Sequence, residues 1–174
     1  MVPVSLNIVR LTAGVSSFSS TGLSLATPKD LDDVAKIFEN SFSGSSRYWS
    51  LRLLKTLDVL VATLEDKVAG AAEIYATKVK GYGNMGVIGF IAVEKEYRRR
   101  GVGRELLLEA EKVFRAKSCK FSAASTKKEN TASIGLFTSL GYALYKRGSK
   151  VFEDLEAPLY AYEDDVIMLK DLSS

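Results

Sequence analysis

The sequence predicts a single α/β domain of mixed order, and three observations carry that expectation. Apolar, β-rich runs at Val59–Leu64, Val68–Ala76 and Val87–Val93 read as strands, the first two joined by the polar turn Glu65-Asp66-Lys67. Helical spacing appears both before them, at Leu31, Val34, Ala35 and Phe38, and after them, in the segment that opens at Gly103. The 174 residues suffice for one core burying about 70% of the surface an unfolded chain exposes.

Taken in order, Met1–Ser20 has neither a basic start nor an uninterrupted apolar core, so it is read as an extension rather than a signal peptide. The expected organisation is an extension over residues 1–22 and a folded domain over 23–172. Leu23–Ala26 reads as a short strand, and Thr27-Pro28 as a helix cap followed by proline at the first helical position. A Ser- and Gly-rich loop is expected over Asn40–Ser46, before a second helical pattern through Trp49, Leu53, Leu54 and Leu57. Gly81-Tyr82-Gly83 marks a turn, and the helix beginning near Gly103 is expected to reach about Lys117. A strand at Lys120–Ser125, a helix at Thr131–Leu140 and strands near Tyr142–Lys146 and Asp165–Leu169 complete the pattern.

Composition narrows the function. Hydrophobic residues make up 47% and charged residues 26%, and the net charge is only +3, which argues against a dedicated nucleic-acid binder. No stretch approaches the roughly 20 apolar residues of a membrane-spanning helix, so no membrane association is expected and the expected location is the cytoplasm. One cysteine, Cys119, leaves no internal disulfide, and the absence of histidine deprives zinc of its usual ligands and removes histidine acid–base chemistry. No metal is expected.

The most informative stretch is Ile91-Ala92-Val93-Glu94-Lys95-Glu96-Tyr97-Arg98-Arg99-Arg100-Gly101-Val102-Gly103-Arg104. An apolar strand ends in a basic, glycine-punctuated turn that opens directly into a helix. Glycine lets backbone approach a ligand, and the N–H groups of a first helical turn favour an anion. Two glycines at a helix start cost roughly 0.5–1 kcal/mol each relative to alanine, which a bound polyphosphate would offset. A nucleotide-hydrolysing P-loop is excluded because Arg104 and Glu105, not Lys and Ser/Thr, follow Gly103; a dinucleotide fingerprint is excluded because Leu106 stands at its third glycine.

Arg98, Gly101 and Gly103 instead meet the pattern Arg/Gln-x-x-Gly-x-Gly/Ala. Further on, Asn130-Thr131-Ala132-Ser133-Ile134-Gly135-Leu136-Phe137-Thr138-Ser139-Leu140-Gly141-Tyr142 resembles Asn-x-x-Ala-x-x-Leu-Tyr-x-x-x-Gly-Phe, with Ser for Ala, Phe for Tyr and Tyr for Phe. With both motifs in order, the chain resembles the GNAT superfamily of acetyl-CoA-dependent N-acetyltransferases over about residues 23–172. The resemblance implies a mixed, twisted central sheet flanked by helices, with acetyl-CoA in a cleft between splayed strands. It further implies that backbone groups of Ile91 and Val93 pair with the pantetheine arm, and that Arg98, Arg99, Arg100, Gly101, Val102, Gly103 and Arg104 hold the pyrophosphate. Asn130, Ser133 and Phe137 are the implied contacts from the second motif.

Direct transfer needs a neutral amine, a base for its proton and a stabiliser for the tetrahedral oxyanion. The family's usual base positions are Val87, Gly89 and Phe90 here, and its usual tyrosine acid is Phe137. Glu73, in the apolar run Ala69–Tyr75, is the substitute candidate, since desolvation would raise its pKa; an outward-facing Glu on a half-exposed strand is the competing reading. The oxyanion would then rely on the Val93 N–H. On the acceptor side, Tyr48, Trp49, Tyr160 and Tyr162 offer aromatic surface with polar tips. The segment Tyr160–Leu169 resembles the closing hairpin of protein N-terminal acetyltransferases. The favoured acceptor is therefore a protein or peptide amine, either an N-terminal α-amine or a lysine. A small-molecule amine acceptor, or a catalytically silent acyl-CoA sensor, are the alternatives. Acetyl-CoA and an amine acceptor are the implied partners, with homodimer formation left open.

Overall fold

The computed structural model describes residues 6–11, 24–25 and 28–173. The chain divides into two packing units: the chain up to Ile74 with Phe90–Lys112, and Tyr75–Gly89 with Val113–Ser174.

The first unit holds β1 (Leu6–Leu11), β2 (Ser24–Leu25), α1 (Pro28–Ser41), α2 (Gly44–Leu53) and β3 (Asp58–Leu64). It also takes the first part of β4 (Lys67–Val79), the last part of β5 (Gly83–Val93) and most of α3 (Val102–Ala116). Its strands run β2-β1-β3-β4, with β1 parallel to β2 and antiparallel to β3, and β3 antiparallel to β4. The β3–β4 turn is short because Glu65 and Asp66 both take left-handed backbone (φ 52° and 61°), the geometry whose twist matches paired strands. On one face of this sheet, Val34, Ile37 and Phe38 of α1, spaced as one helical stripe, pack on Val59, Val61, Ala71 and Ala92. At Gly70 a Cβ would lie 2.8 Å from the Ala92 carbonyl oxygen and 3.2 Å from Val102 Cγ1, so only glycine lets β4, β5 and α3 come this close.

The second unit holds the remainder of β4, β5 and α3, then β6 (Phe121–Thr126), α4 (Thr131–Ser139), β7 (Ala143–Lys146), α5 (Lys150–Leu155) and β8 (Val166–Asp171). Its strands run β5-β6-β8-β7; β5 and β6 are parallel, and β8 is antiparallel to both of its neighbours. Phe152, Leu155, Leu159, Ala161 and Ile167 form its core with Met85, Val87 and Ala123. Buried Ser122 and Tyr142 share a hydrogen bond of 2.7 Å.

Several sequence expectations are corrected. The loop foreseen at Asn40–Ser46 shrinks to Phe42–Ser43, because α1 continues to Ser41 and Gly44 already begins α2. Strand β5 starts at Gly83, not Val87, since its glycines are strand residues: a Cβ at Gly86 would fall 2.1 Å from the Phe114 ring. The segment Tyr160–Leu169 is not a tight hairpin. Helix α5, capped by the Ser149 hydroxyl accepting from the Phe152 N–H, intervenes between β7 and β8, and only Val166 onward is strand. Within the expected extension, β1 pairs along the whole of Val59–Leu64. The Thr27 cap, Leu23 and Ala26 lie outside the described residues.

Candidate active site

The β5–β6 register covers Met85–Val87 against Phe121–Ala123, and β5 continues past it through Ile88 to Val93. Strand β5 ends at a single 3₁₀ turn, Lys95–Tyr97, which Glu94 caps by accepting from the Lys95 N–H at 3.0 Å. The turn is followed by two left-handed residues, Arg99 (φ 63°) and Gly101 (φ 82°), and then by α3. A Cβ at Gly101 would meet nothing within 4 Å, so the outer side of this loop is open. Buried Val102 and Leu106 anchor the first turn of α3, whose leading N–H groups have no carbonyl one turn earlier to bond.

Arg98, Arg99, Arg100 and Arg104 are all exposed around the opening. Their side chains differ in what they do. The Arg98 Nε donates to the Val93 carbonyl at 3.0 Å, tying the loop to the strand end, and the Arg100 guanidinium lies 5.6 Å over the Tyr97 ring. Val93 therefore has one carbonyl lone pair engaged, while Ile91 and Val93 are half-buried on the strand that leads into the loop. Open backbone, the first N–H groups of a helix and an excess of guanidinium charge are chemically suited to a pyrophosphate. The residues present fit that group.

Glu73 lies in the first unit, opposite Val59 in the β3–β4 ladder. Directly opposed side chains share a face, so its carboxyl projects on the face where Val59 packs with α1. It has no solvent exposure, and neither oxygen has a hydrogen-bond partner among the described residues. Burial pushes its pKa up from 4.5 to about 8, which keeps it mainly neutral at pH 7. On the same face, half-buried Phe90 meets Phe42 edge-on with centroids 5.4 Å apart.

In the second unit Asn130 caps α4: its Oδ1 accepts from the Ser133 N–H at 3.2 Å, and its Nδ2 donates to Thr126 Oγ1 at 3.0 Å. Ser133 is half-buried, whereas Phe137 is 1% exposed and packs edge-on against Tyr142 at 4.9 Å. Phe137 is thus a core side chain that offers no surface for a ligand.

The aromatic residues singled out for the acceptor are the most exposed of the large hydrophobic side chains among the described residues. In the first unit Tyr48 and Trp49 are 55% and 48% exposed and touch edge-on at 5.1 Å, with Arg52 over the Tyr48 ring. In the second, Tyr160 and Tyr162 are 75% and 60% exposed, and Tyr160 takes a left-handed backbone (φ 54°). Sequence reasoning missed Arg147, which follows β7 and binds this loop, because nothing in its neighbourhood sets it apart from other strand-end arginines. Asp164 lies in the return that precedes β8. It is half-buried, accepts from Ser125 Oγ at 2.6 Å, and has its pKa raised by burial.

Comparison with known proteins identifies the family and the fold. Residues 30–142 match the model of the acetyltransferase (GNAT) family. Among solved structures, a putative GNAT-family acetyltransferase from Desulfovibrio desulfuricans superposes with a TM-score of 0.70 at 17% identity, covering 97% of this chain and 100% of that one. The ribosomal-protein-S18-alanine N-acetyltransferase of Escherichia coli gives 0.61 at 19% identity over 98% and 96% of the two chains. An aminoglycoside N-acetyltransferase in complex with CoA gives 0.61 at 19% identity over 81% and 91%. The chain belongs to the acetyltransferase (GNAT) family. It is an acetyl-CoA-dependent acetyltransferase with that family's mixed α/β fold. Among the described residues, no helix is long and apolar enough to cross a membrane.

Proposed function

We propose that this enzyme transfers acetyl directly from acetyl-CoA to a protein or peptide amine. The observation that carries the cofactor half is the open, left-handed backbone at Arg99–Gly101 ahead of α3, with four exposed arginines around it. There the amides from Arg98 to Arg104 hold the pyrophosphate, and Ile91 and Val93 offer strand-edge groups to the pantetheine amides. Acetyl-CoA supplies an activated thioester. The Val93 N–H is the donor aimed at the developing oxyanion. From the second motif, Asn130 and Ser133 are the candidates for further ligand contact.

Glu73 is the proposed base. A carboxyl with a pKa of about 8 is a strong proton acceptor once ionised, but only about a tenth is ionised at pH 7. Turnover limited by Glu73 should therefore rise tenfold per pH unit below pH 8 and level off above it. Glu73→Gln should lower turnover by roughly 10²–10⁴-fold and abolish that limb while sparing acetyl-CoA affinity. A variant with the same pH profile as wild type would rule Glu73 out as base.

For the acceptor, exposed Tyr48, Trp49, Tyr160 and Tyr162 supply apolar contact with polar tips at little cost in side-chain freedom. Peptides with free α-amines should then outcompete polyamines and aminoglycosides in kcat/KM, and Tyr162→Ala should raise the peptide KM without weakening acetyl-CoA binding. A preference for a polyamine that Tyr162→Ala leaves intact would assign the enzyme a small-molecule acceptor instead.

A further inference from the structure

We infer that Arg147 is a positioning residue for the acceptor, the side chain that sets the backbone from which Tyr160 and Tyr162 project. The inference rests on the acceptor role proposed for those two tyrosines. Between α5 and β8 the chain alternates: Leu159 and Ala161 are buried anchors, whereas Tyr160 and Tyr162 point out to solvent. This ten-residue return, 156–165, is a run of turns with backbone hydrogen bonds of its own, among them Ala161 N–H to the Glu156 carbonyl at 2.8 Å and Asp164 N–H to the Ala161 carbonyl at 3.1 Å.

Arg147 ties these turns together from several directions at once. Its backbone N–H donates to the Asp165 carbonyl at 2.9 Å. Its Nε donates to the Asp164 carbonyl at 3.0 Å, and its Nη2 donates to the carbonyls of Ala161 (3.0 Å), Tyr162 (3.0 Å) and Asp164 (2.6 Å). Its Nη1 meets Glu156 Oε1 at 2.6 Å, and the guanidinium lies 4.6 Å over the Phe152 ring. The carbonyls of Ala161, Tyr162 and Asp164 thus converge on one planar cation, while the Tyr162 side chain faces outward and that of Ala161 is buried. A lysine ammonium has a single donor point and cannot span carbonyls on two sides of a fork. Tyr160, with φ at 54°, is closed locally by its N–H to the Ala157 carbonyl at 3.1 Å and by Ala161 N–H to the Glu156 carbonyl at 2.8 Å, and Arg147 grips the residues directly after it.

A merely structural cross-link would predict lower stability and nothing more. A positioning role predicts a change confined to acceptor use. The test compares Arg147→Lys, Tyr160→Ala and Tyr162→Ala, using wild-type enzyme and the best free-α-amine peptide of a panel. Arg147→Lys should raise that peptide's KM at least tenfold, with kcat and acetyl-CoA Kd within twofold, and should speed amide hydrogen exchange across 157–164. An unchanged peptide KM in Arg147→Lys, alongside raised KM in the tyrosine variants, would overturn the inference while leaving the acceptor reading intact. Unchanged KM in the tyrosine variants would remove the acceptor reading and the inference with it. Should Arg147→Lys fail to fold, Glu156→Gln loosens the guanidinium without deleting it: a KM rise of at least twofold at constant kcat supports positioning, and no rise overturns it.

Discussion

Replacing Glu73 with glutamine should reverse a large part of this protein's loss of stability with rising pH. The side chain is buried without a hydrogen-bond partner for either oxygen among the described residues, and burial raises its pKa to about 8. An acid whose folded pKa is raised keeps its proton when the unfolded chain has already released it. The unfolded state therefore binds fewer protons between pH 4.5 and 8, and stability falls with increasing pH across that window. At 1.36 kcal/mol for each pH unit, the penalty reaches roughly 3 kcal/mol at pH 7 and approaches 5 above pH 8. Glutamine carries nearly the same volume and also buries an amide, but that cost does not change with pH. The difference between wild type and Glu73→Gln, read from urea unfolding at pH 4, 7 and 8.5, should thus shift by several kcal/mol in favour of the variant as pH rises. A difference that stays flat from pH 4 to 8.5 would show that Glu73 ionises normally, and both its burial and its use as a raised-pKa base would fall together.

At the anion cradle, Gly101→Glu places a carboxylate on left-handed backbone where pyrophosphate is proposed to lie, and should weaken CoA binding by at least a hundredfold in calorimetry; unaltered affinity in a folded variant would refute the cradle. Gly86→Ala should destabilise by about 2 kcal/mol or more in denaturant unfolding, because its methyl would begin 2.1 Å from the Phe114 ring. Phe137→Tyr adds a hydroxyl to a side chain 1% exposed, so it should cost about 1–3 kcal/mol of stability without raising turnover; a gain in turnover would mean the ring reaches the reacting atoms after all.

Local chemistry was enough to read much of this molecule. The strand-to-helix transition at Val93–Arg104 is legible because glycines, arginines and a helical stripe sit next to one another in the chain, and backbone geometry there depends on neighbours only. The Glu65-Asp66 turn and the Asn130 cap are legible for the same reason. Helix α5 had a readable signal, Gly148-Ser149 followed by Val151, Phe152 and Leu155 at helical spacing, but its six residues carry little periodicity. What depended on partners distant in sequence was decided by the tertiary structure. Gly86 marks a strand only once Phe114 lies against it, and Phe137 becomes core through Tyr142. Glu73 becomes a weaker acid only when packing removes water from both its oxygens. Arg147 gathers carbonyls from a loop 14 to 17 residues away, and its sequence neighbours say nothing of them. Desolvation and convergence are collective properties of packed elements, whereas a cap or a turn belongs to a few consecutive residues.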